Sequence, residues 1–404
     1  MSVRAGSRGR GKGRAWRYLA SAPAGGLIGL LLLTSAWSDA PPPRLTSCDV
    51  SAPSRVTLSP DGRTAHLRLD VMTYNLEGLA WPVRDGRAAE LAEIGRRLAA
   101  LREAGEAPDV IVFQEMFSGA AVKAVRAAGY PEEVAGPSPW TPRDMAAEGA
   151  VPGPRLWRKG ELGFSLVSGG LAIVSRYPIT AHRAEPFSRG ACAGLDCLSN
   201  KGVLFAEVAV PGAPDPVRIF DSHMNSKHRS AVALARAQVA HGIQAKELAD
   251  FLAQNGDAGA PVVLAGDFNM RHSQPRFAAF EAAEPMTVVQ DYCLRPGADC
   301  DVRIAWSGRT PWLDTEDLQF FRSGDRVAVR PVRVRALFAG GPSDPQLSDH
   351  KALRVTYDLS WPAGSATAPE ACPAAPPAQA GRTLAAEGWS RAGSRTRWAS
   401  VSGS

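Results

Sequence analysis

Several things are scarce in this 404-residue chain, and each scarcity closes off a class of function. No internal repeat is apparent, which sets aside solenoids and propellers. The six cysteines lack zinc-type spacing and no histidine pair accompanies them, so disulfides are favoured over a zinc site. A broad basic footprint is also missing. The formal net charge is +6, but Arg4, Arg8, Arg10, Lys12, Arg14 and Arg17 hold that much by themselves. The tail beyond residue 358 adds a further net +2, leaving the body between at −2. Such a body is a poor match to a dedicated polyanion binder and counts modestly against a nuclease.

What is present falls into four parts. Residues 1–40 combine a basic stretch, the apolar run Leu27–Leu33 and the small residues Thr34, Ser35 and Ala36. That pattern reads as an export signal cleaved after Ala36, with an uncleaved membrane anchor as the alternative. Leu45-Thr46-Ser47-Cys48 resembles a lipoprotein box, but Pro41-Pro42-Pro43-Arg44 separates it from the apolar run, which argues against lipidation. Residues 41–63 form a linker or lead-in, residues 64–358 one folded body, and residues 359–404 a disordered tail rich in Ala, Pro, Gly and Ser. The cysteines suit a secreted or extracytoplasmic protein. Cys192 with Cys197 and Cys293 with Cys300 would staple two loops, leaving Cys48 and Cys372 to join the ends, although six cysteines allow fifteen pairings.

Within the body, short apolar runs alternate with helical patterns. Strands are expected at Ala65–Tyr74, Val110–Gln114, Gly170–Ser175, Val203–Val210, Val217–Ser222, Val262–Gly266, Asp317–Phe321, Val327–Phe338 and Leu353–Leu359. Helices are expected at Arg87–Glu103, Gly119–Ala128 and Ser230–Gln254, the last as core packing. Pro211-Gly212-Ala213-Pro214 is a hairpin signal between two of the strands. The mixture implies two packed mixed β-sheets with helices outside.

Polar clusters sit at the ends of these runs. Tyr74-Asn75, Gln114-Glu115, Gly266-Asp267-Phe268-Asn269 and Ser348-Asp349-His350 bring carboxylates, carboxamides and an imidazole to strand mouths. A hard divalent cation and a phosphate ester need those groups. Each cluster has an ordinary reading too: Asp and Asn are good turn residues, and Asn75 could be a cap. A glutamate emerging from a buried strand, as at Glu115, is harder to explain unless it is paired or metal-bound. His223 lies just past another strand, and a lone histidine is more often a satisfied core residue. His350 needs an orienting carboxylate to act as a base, and Asp317 is the candidate.

Together, in this order, these residues resemble the endonuclease/exonuclease/phosphatase superfamily of metal-dependent phosphohydrolases. The resemblance implies a four-layer α/β sandwich with its site at one end of two sheets. It also implies roles: Glu115 and Asp349 for a divalent cation, Mg²⁺ or another such as Mn²⁺, and Asn75 for the scissile phosphate. Asp267 and Asn269 would bind phosphate and nucleophile, His223 would support the phosphoryl group or leaving oxygen, and His350, steered by Asp317, would activate water. Asn200-Lys201-Gly202-Val203 before a strand is similar to the neutral sphingomyelinase branch, where the lysine lies near the lipid phosphate; a plain turn is an even alternative. The implied activity is a sphingomyelinase C-type phosphodiesterase acting on a phospholipid head group at a membrane surface, with no protein partner. The alternatives are a secreted deoxyribonuclease-like endonuclease acting on nucleic acid, an inositol-phosphate-type phosphatase, or a binding module that has lost catalysis. Basic loops for a nuclease could come from Lys227-His228-Arg229 and from Arg322, Arg326, Arg330, Arg333 and Arg335. Trp140, Trp306 and Trp312 fall in loop-like segments and are read as buried anchors in preference to a lipid interface.

Overall fold

Side-chain alternation along the strands decides both the layers and the place of the polar clusters. The structure, a computed structural model, describes residues 56–365 except 80–83, 85, 257–258, 305–309 and 311–312. The expected export signal, the Cys48–Cys372 pair, Trp306, Trp312 and nearly all of the tail therefore lie outside the described residues.

In chain order the first half contains β1 (Thr57–Leu58), β2 (Thr64–Asn75), α1 (Arg87–Glu103), β3 (Val110–Gln114), α2 (Gly119–Ala127), β4 (Glu132–Ala135), β5 (Ala172–Ser175) and β6 (Ile179–Pro186). Next come β7 (Gly202–Val208), β8 (Val217–His223), α3 (Leu234–Asn255), β9 (Val262–Asp267) and α4 (Gln274–Ala283). The chain closes with β10 (Thr287–Val288), α5 (Val289–Cys293), β11 (Asp301–Arg303), β12 (Asp317–Arg322), β13 (Ala328–Leu337) and β14 (Ala352–Pro362).

One sheet has the order β11-β13-β14-β2-β3-β5-β4, with β1 on β2, and the other runs β10-β12-β9-β8-β7-β6. Both are mixed: β2 with β3 and β8 with β9 are parallel, while β14 with β2 and β12 with β9 are antiparallel. Leu67, Leu69, Val71, Val110 and Val112 from the first sheet share one buried cluster with Ile219, Val263 and Ala265 from the second. Met72, Tyr74, Ile111 and Phe113, on the opposite face of the first sheet, pack on Leu91, Ile94 and Leu98 of α1 and Ala121 and Val125 of α2. Phe220, Leu264 and Phe320 of the second sheet likewise meet Leu248 and Phe251 of α3 and Phe277 and Phe280 of α4. Helix, sheet, sheet, helix is the four-layer sandwich expected from the sequence.

The same period of two has a second effect. The inward row of β2 reads Leu67, Leu69, Val71, Thr73, Asn75, and that of β3 reads Val110, Val112, Gln114. On the facing sheet the inward rows are Val217, Ile219, Asp221, His223 on β8 and Val263, Ala265, Asp267 on β9. All turn from apolar to polar at the same end of the sandwich. Register then sets His223 and Asp317 on either side of Asp267, and Asn75 opposite Gln114.

Differences from the sequence reading have local causes. β6 was not expected, because His182, Arg183 and Glu185 hide the alternation of this edge strand. α3 begins at Leu234 and not at Ser230, whose carbonyl instead accepts from Leu195 N at 2.9 Å. β14 continues past residue 358, since Leu359 and Trp361 keep the buried alternation against β2. Residues 57–58 of the expected lead-in pair with β2. Trp140 corrects its expectation outright: it is 79% exposed. Both local disulfides, Cys192–Cys197 and Cys293–Cys300, are present as expected.

Gly266 marks how tightly β8 and β9 approach beside the site. Its φ is +151° and a Cβ there would lie 2.1 Å from the Ser222 carbonyl oxygen. Gly266→Ala is therefore expected to cost about 2–4 kcal/mol, read as a lower midpoint in denaturant unfolding. An unchanged midpoint would show that this strand contact relaxes freely.

Candidate active site

The polar ends of the inward rows meet as a connected network. Asn75 Nδ2 donates to Glu115 Oε1 at 3.1 Å and to Asp267 Oδ2 at 2.9 Å, so one carboxamide joins two carboxylates and the two sheets. Its own oxygen accepts from Glu77 N at 3.0 Å. Alternation alone would send residue 115 to the helix side with Phe113. A left-handed backbone at Glu115, φ 59°, takes it off the strand and beside Asn75. Glu77 and Asn269 are left-handed too, at φ 49° and 52°. Three non-glycine residues in this conformation around one site are a concentration of backbone strain of the kind found where geometry serves function. Gly78 permits the crowding, since a Cβ there would fall 2.2 Å from the Glu115 carbonyl oxygen.

His350 enters from the loop between β13 and β14. Ser348 Oγ fixes that loop by donating to the Asn75 carbonyl at 2.8 Å and accepting from His350 N at 3.2 Å. His350 Nδ1 donates to Asp317 Oδ2 at 2.7 Å, which leaves Nε2 facing Asp267 at 3.8 Å, Glu316 at 3.7 Å and Asp349 at 3.8 Å. Burial works against a charged imidazole here, but the charge and hydrogen bond of Asp317, then Asp267 and Asp349, outweigh it and raise His350 well above the ordinary histidine range.

His223 is the opposite case. Lys201 Nζ donates to Asp196, to His223 Nε2 at 3.1 Å and to the Met224 carbonyl at 3.1 Å. Three ammonium protons on three acceptors make His223 Nε2 an acceptor, so the ring is neutral with its proton on Nδ1. Burial, and then the charges of Lys201 and His350, hold it well below the ordinary range. Asn269 donates its backbone N–H to Asp267 Oδ1 at 2.9 Å and its Nδ2 to the Met224 carbonyl at 3.1 Å.

Asn75, Glu115, His223, Asp267, Asn269, Asp317, Lys201 and His350 are thus brought together. Asp349 stands at the rim, 38% exposed, its Oδ2 3.3 Å from Arg229. Among the described residues, the donor sets close enough to grip one ion are Glu115, His223 and Asp267, and Asp267, Glu316 and His350, each with ligand atoms within 4.8 Å of one another. Asp349 is in neither.

Several participants escaped the sequence reading. Glu316 precedes Asp317, and only that adjacency could have flagged it. Asp221 accepts from Gln114 Nε2 at 2.7 Å and makes a second bridge between the sheets; its place two residues before His223 on an inward row was the available signal. Gln319 donates from Nε2 to the Val71 and Leu353 carbonyls, both at 3.1 Å. Arg276, fully buried, donates from Nη1 to the carbonyls of Asn225 at 2.7 Å and Asn269 at 2.9 Å. Gln319 sits within the expected strand Asp317–Phe321, two residues on from Asp317, while no apolar run announces Arg276.

The chain is similar to several known proteins. A sphingomyelinase of Mycobacterium tuberculosis is 27% identical over 303 residues, which is 71% of this chain and 52% of that protein. A phospholipase C of Staphylococcus aureus is 30% identical over 125 residues, covering 30% of this chain and 36% of that protein. The chain therefore spans about half the length of the first of these relatives. Among solved structures, sphingomyelinase C from Streptomyces griseocarneus aligns with a TM-score of 0.49 at 23% identity, over 72% of this chain and 99% of that one. The sequence profile of the Endonuclease/Exonuclease/phosphatase family matches residues 72–350, from the middle of β2 to His350, and the chain belongs to that family.

Proposed function

We propose that this chain is an exported, metal-dependent phosphodiesterase of the sphingomyelinase C type, which hydrolyses a phospholipid to a phosphorylated head group and an alcohol. The observation that carries the chemistry is the His350–Asp317 pair, whose free Nε2 looks onto Asp267 and the Asn75–Glu115 link. The sphingomyelinase and phospholipase C relatives favour a lipid substrate. Two disulfides support work outside a reducing compartment. No described helix is long and apolar enough to cross a membrane.

The donor set suits a divalent cation. Glu115 and Asp267 offer oxygens of the kind Mg²⁺ takes, while the neighbouring imidazoles suit Mn²⁺ as well. Burial raises the Glu115 carboxyl to about 7, against the Asn75 hydrogen bond and the charges of Lys201 and His350. A bound cation would supply positive charge to the phosphate oxygens and offset the carboxylates that hold His350 protonated. In this reading His350 Nε2 takes the proton of the attacking water while Asp317 keeps Nδ1–H in place. Asn269 Nδ2 keeps one hydrogen for a phosphate oxygen, Lys201 adds positive charge beside it, Asn75 would reach the phosphate on exchanging Glu115 or Asp267 for it, and neutral His223 stands beside them without adding charge. Asp349, at the rim, would act on the cation only through a longer reach.

The nuclease alternative is weakened by how four of its arginines are used, Arg229 being the one that stands at the rim of the site, beside Asp349. Arg326 pairs with Asp215, Arg330 with Asp358, Arg333 with Asp301 and Arg322 with Glu284, all away from the site. They satisfy acids of this chain and form no polyanion track.

The full chain with Mg²⁺ is expected to release head group from sphingomyelin vesicles and to leave plasmid DNA intact; nicking without lipid turnover would assign it to the nucleases. His350→Ala is expected to lower kcat by about 10²–10⁴ with an unchanged circular dichroism spectrum, and full activity would remove His350 from the mechanism. A base works only when deprotonated, and the Asp317 charge delays that deprotonation to higher pH. Asp317→Asn should therefore move the acid limb of the kcat/KM profile to lower pH while reducing the plateau; a limb that stays in place would detach Asp317 from His350. Below about pH 7 a cation must displace a proton from Glu115, so Mg²⁺ or Mn²⁺ affinity is expected to weaken by about tenfold per pH unit. Calorimetric titration of wild type against Glu115→Gln, which should lose this dependence, checks the point.

A further inference from the structure

We propose that the loop 152–164, with the turns around Trp140 and Leu195, is a docking surface for a phospholipid bilayer, placed so that a head group enters beside Lys201. This rests on the lipid reading of the site. Five of the ten exposed large apolar residues among those described fall on these segments: Trp140, Leu156, Trp157, Phe164 and Leu195. Trp157 is 62% exposed and Phe164 50%. Scattered apolar residues are ordinary on a surface, but a local concentration of aromatic side chains calls for an occupant.

The segments are fixed side by side by buried polar groups. Glu161, 5% exposed, accepts from Leu156 N at 2.8 Å, from Gly194 N at 3.0 Å and from Arg236 Nε at 2.7 Å. Arg236 also donates to the carbonyls of Pro152 at 2.8 Å and Pro154 at 3.2 Å. Asn200 Nδ2 donates to the carbonyls of Ser138 at 2.7 Å and Thr141 at 3.1 Å, pinning the turn that carries Trp140. The Cys192–Cys197 disulfide closes the turn that carries Leu195. The apolar side chains are thus presented by a preorganised frame, and little ordering cost remains for binding.

Charge selects the occupant. Arg155, Arg158, Lys159 and Arg189 belong to the same segments, and the Arg158 guanidinium lies 4.8 Å over the Trp157 ring. The two acids lining the adjoining cavity, Glu161 and Asp196, are both paired, with Arg236 and Lys201 respectively. Aromatic side chains among unneutralised cations match the boundary between acyl chains and phosphate head groups. The cavity, of about 220 Å³, has Phe164 and Arg189 in its wall and Lys201 in common with the site. Since Lys201 donates to His223, a lipid held on this surface has its phosphate one side chain from the reacting centre.

Hydrogen exchange on the full chain with chelator reads docking without turnover, using mixed sphingomyelin–phosphatidylcholine vesicles with and without phosphatidylglycerol. Amides in 153–165 and 194–199 are expected to gain protection from vesicles, more with phosphatidylglycerol, and Trp140→Ala/Trp157→Ala to lose it. With metal, that double variant is expected to turn over vesicle lipid roughly tenfold or more slowly and to hydrolyse a soluble p-nitrophenyl phosphodiester at the wild-type rate. Leu294→Ala, exposed but elsewhere, should change neither. Unchanged exchange in these segments would overturn the docking surface, as would protection that grows with protein concentration in the absence of vesicles, the sign of a second copy. Protection without any lipid hydrolysis by wild type would keep the surface and refute the proposed substrate.

Discussion

Buried Asn75 and Asp267, with half-buried Glu115 beside them where two β-sheets meet, are the constraint on which this molecule turns. The two carboxylates would be costly there on their own, and Asn75 offers each a hydrogen. That offer exists only if the strands stop in register and the sheets keep their separation. Gln114 to Asp221 and Gln319 to the backbone of Val71 and Leu353 hold the same spacing from either side. The apolar interior sets where the sheets lie, and these few polar bonds set how they align at the reactive end.

Compensation is incomplete by design of the chemistry. Asp267, Glu316 and Asp317 crowd one imidazole, with Lys201 the nearest buried ammonium, itself committed to Asp196. Burial consequently favours protons on the carboxylates, while their charge, working against burial, keeps a proton on His350. Excess negative charge at a strained backbone destabilises the isolated fold and favours whatever cation or substrate relieves it. Stability and reactivity draw on the same residues, with opposite sign.

The sequence showed this end of the sandwich because period-two alternation makes a polar residue at the close of an apolar strand conspicuous. Asn75, Glu115 and Asp267 were legible for that reason, Asp317 because it opens such a strand, and His350 because Ser348-Asp349-His350 precedes one. Glu316, Glu77 and Asp196 were not, because their positions depend on loop geometry that no pattern of apolar residues encodes. Arg276 was hidden by looking like an ordinary surface cation on a helix, whereas its guanidinium satisfies four carbonyl oxygens. Trp140 failed the other way. Its size argued for burial, and only the turn held by Asn200 places it in solvent.

The pairing of β14 with β2 ties the timetable of folding to the length of the chain. Thr356 and Asp70 join these strands across 286 residues, and β14 separates β13 and β11 from the rest of their sheet. A ribosome must therefore release almost the whole body before the first sheet can close, and the loop-closure cost falls due all at once. Until then β2 lacks its β14 partner and keeps an open edge. Maturation after synthesis, and not during it, follows from which strand sits in the middle.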